Sequence, residues 1–130
     1  MDHIRHSTRR MGWEGENRVS QHLMMVHGFD VYTPVVDDKL CDLVVDTGKN
    51  LKRVQVKTRN ALRGNSSIEV KLKKYMGSNI DVIAVWYKPK DLIAYVPYNG
   101  EEYILLAVET AKNNQEHGRN WFYRYMEFPK

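Results

Sequence analysis

The chain has little cysteine, few prolines and no long apolar run, and each shortage removes a class of protein. Cys41 is the one cysteine among 130 residues. No disulfide can close within the chain, which is the expectation for a reducing, cytoplasmic compartment. No His/Cys cluster has zinc-ligand spacing. Apolar residues nowhere approach the ~20 that a membrane-spanning helix needs, and MDHIRHSTRR at the start lacks a hydrophobic signal core. Repeats, low-complexity tracts and a linker are missing as well. Hydrophobic residues make up 42%, an ordinary share for a folded protein. The length fits a single domain over residues 1–130, enough for a sheet with helices on it.

Charge is present but unevenly spread. The net value is +4, yet between Lys49 and Lys74 stand nine Lys/Arg and one Glu, so the remainder is net acidic. Such a block suits a phosphate backbone, and DNA is the expected partner. A solvated face would carry similar charge. Arg53, Arg59, Arg63, Lys73 and Lys74 are the candidate DNA-binding cations, and Ser66 and Ser67 could donate to phosphates.

The block is centred on CDLVVDTGKNLKRVQVKT, which reads as a β-hairpin. Cys41–Asp46 and Leu51–Thr58 are its strands, and Thr47-Gly48-Lys49-Asn50 supplies a tight turn. A turn centred between Gly48 and Lys49 sets Asp42 across from Gln55, and facing residues project to one side. Lys57, two residues on, shares that side. One face therefore gathers a carboxylate, an amide and an ammonium, while Leu43, Val45, Val54 and Val56 can bury on the other. Asp42 can hold a hard divalent cation, with the Gln55 side-chain oxygen and the Val56 carbonyl as further ligands. Mg2+ is the expected ion, with Mn2+ as a substitute. It would polarise a phosphodiester and acidify a water that Lys57 could orient. Alternation of this kind also serves strands that merely face solvent.

Before the hairpin, residues 1–10 are nearly devoid of apolar side chains and read as a mobile arm. The pattern then predicts a helix from about Met11 to His27, with Trp13, Val19, Leu23 and Met24 as its buried stripe and Gly28 as its stop. Glu16 falls on that stripe, where a carboxylate needs a metal or a cation such as Lys57 to offset its burial. Arg18 and His22 fall toward the other side. FDVYTPVV over 29–36 reads as a first strand that Pro34 confines to an edge. Asp37-Asp38-Lys39 reads as a turn whose acids could reach the site as outer ligands. Beyond the hairpin, RNALRGNSS is a polar loop and SIEVKL a short strand or ribbon. NIDVIAVWY is a buried central strand headed by Asp81, and LIAYVP is its hairpin partner. Tyr103–Val108 leans to strand. Asn113, Asn114, Gln115 and Arg119 sit in a polar loop, and WFYRYMEF is an aromatic segment that packs on the core or on a second subunit.

Asp42 followed by Gln55-Val56-Lys57, preceded by a helix bearing Glu16, resembles the PD-(D/E)XK nuclease superfamily over about residues 12–97. It is similar to small members with Gln in the (D/E) position, among them homing endonucleases and restriction enzymes, and in size and layout to archaeal Holliday-junction resolvases. No Pro precedes Asp42, and Gln55 stands where an acid is common, which removes one negative charge. The resemblance implies an α/β (α+β) fold: a restriction-endonuclease-like core of a helix followed by a mixed β-sheet, with an extra C-terminal strand or helix. It also implies a Mg2+-dependent DNA endonuclease with Glu16, Asp42, Gln55 and Lys57 as catalytic residues. The substrate would be a Holliday junction, other branched DNA or a specific duplex site. Cutting both strands would call for a homodimer or a higher oligomer. The alternative is a non-catalytic nucleic-acid-binding protein on a degenerate nuclease fold.

Overall fold

The computed structural model describes residues 2–35, 40–110 and 119–130, with the backbone alone over 2–7. Helix α1 (Asp2–Met25) opens the chain. Strands β1 (Asp30–Tyr32), β2 (Leu43–Asp46), β3 (Leu51–Arg59), β4 (Ser67–Lys71), β5 (Val82–Tyr87), β6 (Leu92–Pro97) and β7 (Tyr103–Ala107) follow. Short 3-10 turns lie at Lys73–Tyr75, Lys88–Lys90 and Phe122–Tyr125. Five strands form one sheet in the order β1-β2-β3-β5-β6, and β4 pairs with β7 in a separate two-stranded ribbon. Among the described strands β3 and β5 pair parallel and the other strand pairs are antiparallel. The sheet is mixed, as expected.

The hairpin forms in the expected register, with Leu43 opposite Val54 and Val44 opposite Arg53. Its turn is fixed locally. Gly48 takes φ +89° and donates its N–H to Asp46 Oδ1 at 2.8 Å, while Thr47 N–H bonds the Asn50 carbonyl at 3.0 Å. β2 is shorter than predicted, since the chain bends away at Asp42. Cys41 packs against the ribbon-side core. The first strand shrinks to Asp30–Tyr32 and lies at the sheet edge, before Pro34. Val36–Lys39 and residues 111–118 lie outside the described residues, and with them the Asp37-Asp38 turn and Asn113–Gln115.

Two cores flank the sheet. On one side α1 lays Val19 and Leu23 onto Leu43, Val45, Val54, Val56, Val82, Ala84 and Trp86. On the other the ribbon contributes Ile68, Val70, Ile104 and Leu106, which pack on Ile83, Val85, Ala94 and Val96 with Tyr75 and Phe122. β5 is buried along its whole length, as a strand covered on both faces must be. The aromatic C-terminal segment joins the two sides, with Phe122 in the ribbon core and Phe128 in the helix core. Phe128 meets Phe29 and Tyr95 edge-on at 5.5 and 5.4 Å. Of the two roles expected for this segment, packing on the core is the one observed.

Helix α1 departs from its expected form in two ways. Its backbone begins at Asp2, well before Met11, because a polar turn of helix leaves no apolar periodicity to detect. Its buried stripe is also rotated. Trp13 is 69% exposed and Met24 46%, whereas Gly15 is buried against Val56 and Thr58. A Cβ at Gly15 would collide with Thr58 Oγ1, so this glycine sets how closely helix and sheet approach. The rotation turns Arg18 and His22 toward the sheet. Arg18 grips Asp91 through two nitrogens, at 2.8 and 3.1 Å. His22 Nδ1 lies 2.7 Å from the Tyr95 hydroxyl.

Candidate active site

β3 carries two functions by alternation. Val54, Val56 and Thr58 face α1, while Gln55, Lys57 and Arg59 face the ribbon side. The site forms where β2 leaves β3. Ladder pairing ends at Leu43–Val54, with one more bond from Asp42 N–H to the Val54 carbonyl at 2.9 Å. Beyond that point the Val56 peptide has no strand beside it on the β2 side. A backbone N–H left there must find another acceptor. Asp42 Oδ2 accepts it at 3.0 Å, which orients the carboxylate along the opened edge of β3.

The Val56 carbonyl leaves from the same edge. It accepts the Gln55 side-chain nitrogen at 3.3 Å, a long bond that leaves one carbonyl lone pair unused. Gln55 is only 9% exposed, so its amide is confined next to this carbonyl. Turning the amide over exchanges its oxygen and nitrogen at no cost in shape. The corner then offers three oxygens, from Asp42, Val56 and Gln55. That set fits a hard divalent cation and suits neither zinc nor copper. Among the described residues no three His, Cys, Asp or Glu side chains are grouped closely enough to hold a metal. The oxygen corner thus depends on a carbonyl and an amide, and its charge is lower than a second acid would give.

Lys57 is half-buried one alternation past Gln55. Its Nζ stands over the Tyr75 ring, 4.8 Å from the centroid, and Lys74 Nζ addresses the same ring at 5.1 Å. Arg59, expected to grip DNA, is instead a clasp between strands. Its guanidinium donates to the Thr58 carbonyl at 2.8 Å and to the Glu69 carbonyl at 3.3 Å. Burial lowers its pKa from the ordinary arginine value, with the nearby Tyr75 opposing that shift.

Glu16 is half-buried on α1. Successive helix residues turn by about 100°, so Glu16 lies on the flank opposite Glu14 and Arg18. Those two reach Lys88 and Asp91 beside β5 and β6, so Glu16 stands on the flank of α1 away from those strands. The predicted basic residues are spread more widely. Arg53 is exposed toward the far end of β3. Arg63 is paired with Glu69. Lys73 and Lys74 are exposed on the 3-10 turn that carries Tyr75. Ser67 is buried, and its Oγ lies 3.0 Å from Arg119 Nη2. Asp81 is a strand-end cap, accepting the Arg53 N–H at 2.8 Å. Tyr75 follows two of the candidate DNA-binding lysines in sequence, but its contact with Lys57 is tertiary and leaves no local signal.

Comparison with known proteins bears on the family and the fold. A model of the PD-(D/E)XK endonuclease family matches residues 6–128. Among solved structures, the chain is similar to a bacterial homing endonuclease, I-Ssp6803I, with 20% identity and a TM-score of 0.64 over 91% of this chain and 85% of that one. It is also similar to Hjc, a Holliday junction resolvase from the archaeal hyperthermophile Archaeoglobus fulgidus, with 17% identity and a TM-score of 0.48 over 79% and 94%. No curated protein matches the chain. The likeness to the homing endonuclease identifies a restriction-endonuclease-like fold. Among the described residues no helix is long and apolar enough to cross a membrane.

Proposed function

The chain belongs to the PD-(D/E)XK endonuclease family, and on that premise we propose that it hydrolyses DNA phosphodiester bonds with a divalent cation, Mg2+ or Mn2+, held by Asp42, the Val56 carbonyl and Gln55. The observation that carries this reading is the opened edge of β3, where Asp42 Oδ2 takes the Val56 N–H at 3.0 Å while the Gln55 amide sits on the Val56 carbonyl. A cation bound there supplies polarisation of the phosphodiester and a more acidic water. Asp42 contributes the one formal charge among the three ligands, and its bond to Val56 keeps it aimed. Lys57 directs up to three N–H donors at the attacking water or at the growing phosphoryl charge. Glu16, on the flank of α1 away from β5 and β6, adds a carboxylate to the water side. Lys73 and Lys74, with Arg53 farther off, hold the DNA backbone by charge.

Breaking both strands requires two such corners facing opposite polarities, so the active unit is a symmetric homodimer or a higher assembly. The test is cleavage of supercoiled plasmid, linear duplex and a four-way junction, with Mg2+ and with EDTA, by wild type, Asp42→Ala and Lys57→Ala. Wild type cuts only with metal, and each variant falls by at least ~10²-fold. The substrate cut fastest assigns branched or duplex specificity. Equal cutting by all three proteins refutes the assignment.

A second reading draws on Gln55. Without a second acid in the hairpin, the fold would bind DNA without cutting it. DNA binding with no Mn2+ uptake by calorimetry, with or without DNA, would select that reading.

A further inference from the structure

Tyr75 belongs to neither the cation corner nor any DNA contact described above, yet two cationic side chains converge on its ring. Lys57 Nζ and Lys74 Nζ stand over its ring at 4.8 and 5.1 Å. The ring is 1% exposed and lies among Ile68, Ile83 and Phe122 in the ribbon core. Its backbone is tied at both ends. Tyr75 N–H donates to the Leu72 carbonyl at 2.9 Å, and the Tyr75 carbonyl accepts Ser78 N–H at 3.0 Å. Leu72 is in turn bonded to Glu102 beside the ribbon at 2.8 Å. A lysine on a strand is a mobile ammonium on a four-carbon stem. This one is met by an immobile aromatic face, and a buried ring attracts a cation through its quadrupole more strongly than an exposed one.

We propose that Tyr75 is the positioning residue for Lys57: its ring holds the ammonium beside the Asp42–Gln55 corner, so that the amine is in place before DNA arrives. The inference rests on the nuclease reading and adds a residue to it. Arg59, the next side chain on that side of β3, is clasped to backbone carbonyls of Thr58 and Glu69 and does not compete for the ring. The Tyr75 hydroxyl has no part in this role. The ring face alone matters, and that separates the proposal from ordinary core packing.

The test uses the full chain with Tyr75→Phe as reference and the same position filled by mono-, di- and trifluorinated phenylalanine. Fluorine drains the ring's negative face while nearly preserving shape and apolarity. Single-turnover cleavage is measured at saturating DNA and Mg2+, together with DNA affinity and melting temperature. The expected result is a stepwise fall in rate with each fluorine, reaching about tenfold, at constant DNA affinity and melting temperature. Tyr75→Phe keeps the ring and is the zero-fluorine point of the series. A rate that is flat or rising across the series overturns the proposal.

A readout independent of cutting accompanies it: the NMR shift of the Lys57 Cε protons, which ring current moves upfield in wild type and Tyr75→Phe and releases in Tyr75→Leu. Lys57 protons at their ordinary shift in wild type also overturn the proposal. Wild type that retains the upfield shift but cuts no DNA shows that the nuclease reading has failed, and the positioning of Lys57 for catalysis falls with it. Wild type that cuts, with no response to fluorine, shows that the positioning role alone has failed.

Discussion

On the side of β3 that faces α1, Val54 and Val56 are buried with Leu43 and Val45 beneath Val19 and Leu23. On the side that faces the ribbon, the intervening residues are Gln55, Lys57 and Arg59, held by single directed contacts: an amide on a carbonyl, an ammonium on a ring, a guanidinium on two carbonyls. The backbone is shared and the period is two, so a one-residue slip would exchange the two sets completely. The difference teaches that the helix side sets the strand's register, and the register aims the chemistry. Stability and activity should therefore respond to different members of one nine-residue strand and its neighbours.

The sharpest way to test that separation is Asp42→Asn. The amide still offers an oxygen to the Val56 N–H, so the melting temperature should stay close to wild type. Removing the one formal charge among the proposed ligands should lower cleavage by ~10²–10⁴-fold. A large loss of stability would show that the carboxylate serves the fold first. The converse variant, Leu23→Ala, removes a fully buried side chain from the helix core. It should cost about 2–5 kcal/mol in denaturant unfolding and leave cleavage per folded molecule within a few-fold. Gly15→Ala probes the seam between the two regions. A Cβ there strikes Thr58 Oγ1, a buried hydroxyl with no hydrogen-bond partner among the described residues. Overpacking of this kind should cost about 1–3 kcal/mol, and combining it with Thr58→Ala should recover most of the loss.

The smallest effect belongs to pH. His22 has its pKa lowered from the ordinary 6.5, chiefly by burial, then by His27 and Arg18, with Asp91 and Glu127 opposing. A histidine depressed in the folded state binds its proton more readily when unfolded. The fold is therefore fully stabilised above about 6.5 and loses stability as pH falls below it. Melting curves from pH 8 to 5 should fall less steeply for His22→Asn than for wild type. An unchanged slope would remove His22 from the helix-side core.

Much of this was legible in the chain itself, for identifiable reasons. The hairpin register followed from one turn and strict alternation, and the all-apolar 82–87 segment could only be covered on both faces. The helix stripe was misplaced because apolar residues were counted and Gly15 was not, although the smallest residue marks the point of closest approach. Trp13 and Met24 could be assigned outward only once the sheet was present. The same holds for Arg59. A cation in a basic block reads as a surface charge until the Glu69 carbonyl appears beside it. The pairing of β4 with β7 apart from the main sheet left no local signature, since the ladder joins segments far apart in sequence.

The parallel pairing of β3 with β5 has a consequence for how such a scaffold can diversify. Parallel neighbours need a long return path, and here β4 and the Tyr75 turn supply it, passing over the face that bears Lys57. The stretch that closes the topology is therefore also the cover over Lys57. Insertions at its tip, where Gly64 and Asn65 both adopt left-handed backbone, would remodel that cover while leaving Asp42 and the opened edge of β3 untouched.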